Sequence, residues 1–159
     1  MAEESFRRAV ATNARDGDAQ HNLAFALCEQ GHYAQAQQFF EAALANPLYR
    51  NKERTQVAQA VCESRAGNIA TAETLLLSAY EDGSRSPVVA NALANIYYQQ
   101  QNYRRAALYA SQANARGHGT AASLWLAMKI EKQLGNNSTV QRYARQLRED
   151  FPDSREPRL

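Results

Sequence analysis

Small and apolar residues recur along the chain with a helical period, and the same spacing returns four times. Ala36, Phe40 and Ala43 are four and three residues apart, which puts their side chains on one face of an α-helix. Ala72, Leu76 and Ala79 repeat those steps, as do Ala106, Ala110 and Ala113, and Val140, Ala144 and Leu147. Each face begins just after a turn signal: Gly31-His32-Tyr33, Gly67-Asn68-Ile69, Gln101-Asn102-Tyr103 and Gly135-Asn136-Asn137. A small residue precedes each turn at a fixed offset, Ala24, Ala60 and Ala94, with Met128 in the last copy. The turns are 36, 34 and 34 residues apart. The pattern predicts helix pairs over 18–30 and 33–45, 53–66 and 69–81, 87–101 and 103–115, and 120–134 and 137–150. Pro87 suits the first turn of a helix, and Pro47 and Pro152 stop the helices before them. No segment reads as a strand, so the chain is expected to be all-α.

A helix–turn–helix unit of about 34 residues with small residues at these places resembles the tetratricopeptide repeat. The resemblance covers residues 17–152 in four copies: 17–50, 51–86, 87–119 and 120–152. It implies one solenoid over 1–152, a right-handed superhelix of antiparallel helix pairs. The residue types make physical sense. Small residues let paired helices cross closely, and Tyr33, Ile69 and Tyr103 fill the wedge beside each turn. Gly31, Gly67 and Gly135 end a helix where a left-handed conformation costs little; Gln101 stands where a turn glycine is usual. Each hairpin leaves an apolar face that only the next one can cover. Residues 3–13 fit the same register one repeat earlier, with Phe6, Ala9 and Val10 where Phe40, Ala43 and Leu44 fall later. The chain is therefore expected to open on the second helix of an incomplete pair and to be part of, or a shortened form of, a longer repeat protein. That open edge is a place where a second copy could pair as a homodimer. Residues 153–159 read as a polar tail.

Composition narrows the class. The chain has 159 residues, 45% hydrophobic and 21% charged, so it is long enough for one domain or one run of repeats and is not disordered. A net charge of +2 makes no case for a nucleic-acid partner. No run approaches 18 apolar residues, and the first residues contain no apolar signal core. If the natural protein is exported, its targeting segment is expected to lie outside this chain. Cys28 and Cys62 are too few for a disulfide scaffold or, alone, a structural zinc site.

Nothing in the pattern assembles catalytic chemistry. His21, His32 and His118 lie in different repeats or turns, without partners at metal-ligand spacing. Gly117-His118-Gly119 follows no strand and reads as an inter-repeat turn. Asn136-Asn137-Ser138-Thr139 reads as helix capping. No metal, cofactor or enzymatic activity is expected. Charge is uneven: residues 1–80 carry 7 Lys+Arg and 9 Asp+Glu, residues 81–159 carry 11 and 7. Arg142, Arg145 and Arg148 form a basic stripe, read either as a solvated face or as a site for an acidic partner or anionic headgroups.

The expected task is partner binding, because the first helices of the pairs line a concave groove. With Gly31, Gly67, Gln101 and Gly135 counted as the fifteenth position, the groove positions are the second, fifth, ninth, twelfth and thirteenth. They yield His21, Phe25 and Cys28, then Val57 and Val61, then Asn91, Asn95 and Tyr98, then Trp125, Lys129 and Lys132. Asn91 and Asn95 share a helix face and could grip an extended peptide backbone. The aromatic and aliphatic members would supply apolar contact, although Trp125 also fits a core position. The Lys/Asn clamp by which cytosolic co-chaperones of this fold hold acidic tails is absent: His21 and Phe25 stand at its first positions, and Ala58, Val88 and Ala92 follow.

Some stretches carry a narrower resemblance. Ala42-Ala43-Leu44-Ala45-Asn46-Pro47-Leu48-Tyr49, Glu53-Arg54 and Ala60-Val61-Cys62 resemble the link between two central repeats of the PilF/PilW family. Ser123-Leu124-Trp125-Leu126, Lys129-Ile130-Glu131-Lys132, Leu134-Gly135 and Phe151-Pro152-Asp153-Ser154 resemble that family's last repeat and ending. The two-residue lengthening between Gly31 and Gly67 falls at the Asn46–Tyr49 link. Ala60 and Gln101 depart from it, standing where many relatives have Gly. The resemblance implies a pilotin of type IV pilus biogenesis: a periplasmic, outer-membrane-tethered lipoprotein that helps the pilus secretin reach that membrane and assemble. It implies binding and escort, with no bond made or broken. In an oxidising periplasm Cys28 and Cys62, on neighbouring first helices, are close enough to bridge, and two buried free thiols are the alternative. A bridge closing about 35 residues would contribute on the order of 3 kcal/mol. A generic repeat adaptor, cytoplasmic and binding an unrelated peptide or protein, is the other functional reading, and a regulator with a small-molecule pocket is a third.

Overall fold

The chain folds, in a computed structural model that describes residues 2–12, 16–82 and 85–154, entirely through helices and their turns. The helices are α1 (Ala2–Thr12), α2 (Gly17–Glu29), α3 (Tyr33–Ala45), α4 (Lys52–Arg65), α5 (Ile69–Asp82), α6 (Pro87–Gln99), α7 (Tyr103–Ala113), α8 (Ala121–Gln133) and α9 (Asn137–Asp150). A short 3-10 turn, Ala115–Gly117, separates α7 from α8. The predicted pairs are all present, displaced by one or two residues at several ends. Asn13, the last residue of the expected opening helix, and the tail beyond Ser154 lie outside the described residues.

The four turns share one hydrogen-bond scheme. The residue after the left-handed position donates its N–H to a carbonyl five residues back: His32 to Leu27, Asn68 to Glu63, Asn102 to Tyr97 and Asn136 to Glu131, at 2.8–2.9 Å. Its own carbonyl then accepts from Ala36, Ala72, Ala106 or Val140, so one residue closes one helix and opens the next. The left-handed residues are Gly31, Gly67 and Gly135 at φ 80°, 91° and 74°, and Gln101 at φ 59°. Nothing crowds a Cβ at the three glycines, so backbone conformation alone favours glycine there.

The starts are set by side-chain caps. Asp16 accepts from the Asp18 and Ala19 amides at 3.0 and 3.1 Å and opens α2. Ser86 accepts from the Val88 amide, with Pro87 in the first turn of α6. Thr120 was expected inside α8 but caps it instead, in a reciprocal box with Ser123.

Two compact units emerge, Met1–Ala79 and Tyr80–Leu159. In the first, α1 packs on α2, α2 on α3, and α3 on α4, while α2 also touches α4. Its core holds Leu23, Leu27, Ala36 and Phe40, with Phe6 and Val10 of α1 partly buried against it. Gly17 is needed for this packing, since a Cβ there would fall 2.5 Å from the Tyr49 ring. In the second unit α6 pairs with α7, α8 with α9, and α6 and α8 lie side by side. Tyr97 stacks on Tyr109 at 5.6 Å, Tyr80 meets Tyr109 edge-on at 5.5 Å, and Arg105 lies 5.4 Å over Tyr97. Asn114 is buried between α7 and α8, bonded to Ala110, to Ser123 O and to Ser123 Oγ.

Gln101 is the one non-glycine among the four turn positions. Replacing it with glycine is expected to relieve about 1 kcal/mol of backbone strain net of chain entropy, raising the midpoint of the second unit by roughly 4–8 °C. Calorimetry of Gln101→Gly beside the wild type measures it, and an unchanged or lower midpoint contradicts it.

Candidate functional site

Three links tie α2 to α4 along their length. Near their starts, His21 Nδ1 lies 2.9 Å from Thr55 Oγ1, which also meets the Tyr49 hydroxyl at 2.8 Å. Near their ends, Cys28 and Cys62 form a disulfide with a Cα separation of 5.8 Å. Arg65 at the end of α4 makes an ion pair and hydrogen bond with Glu29. The linked residues are 34, 34 and 36 apart in sequence, so the two helices run parallel, start beside start.

Between them lies a groove of about 310 Å³. Phe25 from α2 and Val57, Ala58 and Val61 from α4 make its apolar wall, with Arg54 and Arg65 at its ends. Phe25 is 50% exposed, which is costly for a large aromatic without a partner. Cys28 is buried at the groove wall, so the disulfide holds the two sides together from below.

His21 was expected to face a partner, and the structure revises that. Although it edges the groove, it is only 2% exposed, packed edge-on to Phe40 at 6.1 Å and bonded to Thr55. Burial holds its pKa below the ordinary histidine value, and the Arg54 charge lowers it further against a smaller opposing effect of Asp18. It is a neutral core histidine that fixes α4 against α2.

In the second unit the expected residues gather on α6 and α8. Lys129 Nζ sits 5.3 Å from the Tyr98 ring centroid, and Tyr98 leans on Tyr103 at 5.7 Å. Asn95 is exposed one turn before Tyr98, Trp125 is partly buried one turn before Lys129, and Lys132 is exposed. Asn91 differs from Asn95: it lines a cavity of about 180 Å³ with Val88, Thr120 and Ser123, and its buried Oδ1 has no hydrogen-bond partner. The predicted residues thus fall into two sets, one in each unit.

Arg54 and Arg65 were not among the expected site residues. They occupy the second and thirteenth positions of their repeat, so the count that found Val57 and Val61 reaches them too. The Arg142, Arg145 and Arg148 side chains are exposed on α9, with Arg142 lying 5.2 Å from the Tyr143 ring centroid. Among the described residues no group of three or more His, Cys, Asp or Glu side chains is placed to hold a metal ion.

No family model matches the chain. It is 26% identical over 156 residues to the type IV pilus assembly protein PilF of Pseudomonas aeruginosa, a match covering 98% of this chain and 62% of that protein. The chain therefore spans less than two thirds of that relative. The PilF structure superposes with a TM-score of 0.71 at 27% identity, over 96% of this chain and 69% of that one. The crystal structure of PilW, described as a widely conserved type IV pilus biogenesis factor, has a TM-score of 0.81 at 27% identity, over 98% of this chain and 71% of its own. YrrB, a tetratricopeptide-repeat protein with an unusual peptide-binding site, shares the fold at 12% identity with a TM-score of 0.64, over 95% and 77%.

Two measurements follow from the α2–α4 links. His21 is neutral when folded and protonates more readily when unfolded, so the unfolded chain binds more protons below pH of about 6.5. The melting midpoint is expected to fall as pH drops from 7.5 to 5.5, and His21→Gln to flatten that slope; parallel slopes would contradict the assignment. Reduction of Cys28–Cys62 is expected to cost the first unit on the order of 3 kcal/mol, or roughly 12–24 °C in its calorimetric midpoint. The Cys28→Ala, Cys62→Ala double variant should show a similar loss without reductant, and no shift in either would contradict it.

Proposed function

We propose that this tetratricopeptide-repeat protein of the PilF/PilW type is a non-catalytic interaction module of type IV pilus biogenesis, acting as a pilotin that helps the pilus secretin reach the outer membrane and assemble there. The observation that carries this reading is the likeness to PilF and PilW over nearly the whole chain, in sequence and in backbone together. Repeat folds of this kind act by holding other chains, and both units offer surfaces suited to that. The partner-binding residues are Phe25, Val57 and Val61 in the first unit and Asn91, Asn95, Tyr98, Trp125 and Lys129 in the second, with His21 as internal support. The site of action is the periplasm at the outer membrane. The likeness to PilF and PilW is what supports a lipid anchor in the full-length protein; among the described residues no helix is long and apolar enough to cross a membrane. A homodimer through α1 would cover the partly buried Phe6 and Val10.

A second reading, a peptide-binding adaptor of another complex, is supported by the half-exposed Phe25 beside an open groove and by the shared fold with YrrB. One experiment separates the two. The full-length gene is deleted in its source bacterium and detergent-resistant secretin multimers are immunoblotted in outer-membrane fractions. The pilotin reading expects the multimers to disappear and to return with the wild-type gene. Normal multimers and normal pili would overturn it and leave the adaptor.

A further inference from the structure

From the α2–α4 groove we infer the chemical class of its occupant: a short peptide segment with an adjacent pair of apolar side chains and one carboxylate, the carboxylate lying toward the Arg54 end. The inference rests on the reading of this face as a partner-binding surface and adds the chemistry of what it holds.

The two ends of the groove differ in charge. At the far end Arg65 is matched by Glu29, so its charge is already answered within the protein. Arg54, at the near end, is exposed on α4 and lies close enough to His21 to depress its protonation. Asp18 acts on His21 in the opposite sense and is itself tied to Asn51, whose amide donates to it at 3.1 Å. A carboxylate is the group that a guanidinium at the mouth of an apolar groove binds best, since it can accept two parallel N–H bonds.

The wall between the arginines is apolar and asymmetric. Phe25 stands half out of α2 opposite Val57 and Val61, leaving aromatic and aliphatic surface that an inserted side chain would take out of water. Arg54 and Arg65 are eleven residues apart on one helix, about 16 Å, which matches roughly five residues of extended chain. The links at both ends hold α2 and α4 at fixed separation, so an occupant need not order the groove to enter it.

The test uses the purified chain labelled with nitrogen-15 and two acetylated, amidated peptides, Gly-Glu-Gly-Leu-Phe-Gly and the same residues in reverse order. Comparators carry Gln for Glu, or Ala-Ala for Leu-Phe. Amide spectra are followed to millimolar peptide at low salt. The expected result is that one order shifts amides around Phe25, Val57 and Val61 and binds about fivefold more tightly than its Gln comparator. Arg54→Gln should remove that difference, and the Ala-Ala peptides should not bind. Equal affinity of Glu and Gln peptides, shifts mapping elsewhere, or no binding would each overturn the inference. Arg54 is exposed, so its variant should fold, and an unchanged melting midpoint checks this. The secretin immunoblot is read in cells and is independent, so loss of either result leaves the other standing.

Discussion

The architecture depends on one backbone event, a left-handed residue that reverses the chain within a single turn. At Gly31, Gly67, Gln101 and Gly135 the following residue spends its N–H on the outgoing helix and its carbonyl on the incoming one. A longer connection would free the second helix to choose its own angle. Here the next buried side chain, at Ala36, Ala72, Ala106 or Val140, sits four residues from the turn with its amide already committed. Close crossing is then possible only if that side chain is small, which explains why alanine fills three of the four places. At two turns the asparagine side chain adds a bond to a glutamate of the outgoing helix, Asn68 to Glu63 and Asn136 to Glu131.

A second constraint sits on top of the first. Hairpins position adjacent first helices only through their partners, yet α2 and α4 are also joined directly, by a buried histidine network and a disulfide. Both are expensive features to place beside an open surface. Burying His21 keeps it neutral and uncharged toward any partner, and its Nδ1 bonds Thr55, whose hydroxyl is held in turn by Tyr49. The result is a groove whose walls are fixed while its aromatic side chain, Phe25, stays half exposed.

The fold was legible because its determinants are local and repeated. Turn residues, small residues and helical spacing recur four times, so a weak signal in any one copy is supported by the others. The helix ends were less legible, since caps are decided by hydroxyl geometry: Thr120 and Ser123 form their box outside the helix that the spacing would extend over Thr120. For the candidate site, repeat counting gives positions on the helices but not burial. Repeat counting puts His21 and Phe25 on the same face, and it cannot see that His21 bonds Thr55, itself bonded to Tyr49 of the lengthened link, and is buried with them. Nor does it distinguish Asn91, held in a small cavity, from Asn95 one turn away in solvent. The groove's charged ends escaped for a different reason: Arg54 and Arg65 stand at groove positions, but only pairing with Glu29 reveals that one of them is neutralised.

The inner faces of the two units differ in kind, and the difference bears on how such a protein would hold a partner. In the first unit the face is aliphatic and aromatic, braced by a covalent link, and suited to hydrophobic insertion. In the second, Lys129 lies over Tyr98 beside exposed Asn95 and Lys132, an arrangement suited to polar backbone and acidic groups. A lysine ammonium over an aromatic ring is not consumed by that contact, because it still has N–H donors for an incoming carboxylate or carbonyl. As binding surfaces, one face would gain affinity chiefly by excluding water and the other chiefly by directional bonds. Each face would therefore reject a different class of wrong partner, the first those without apolar side chains and the second those without polar groups to pair.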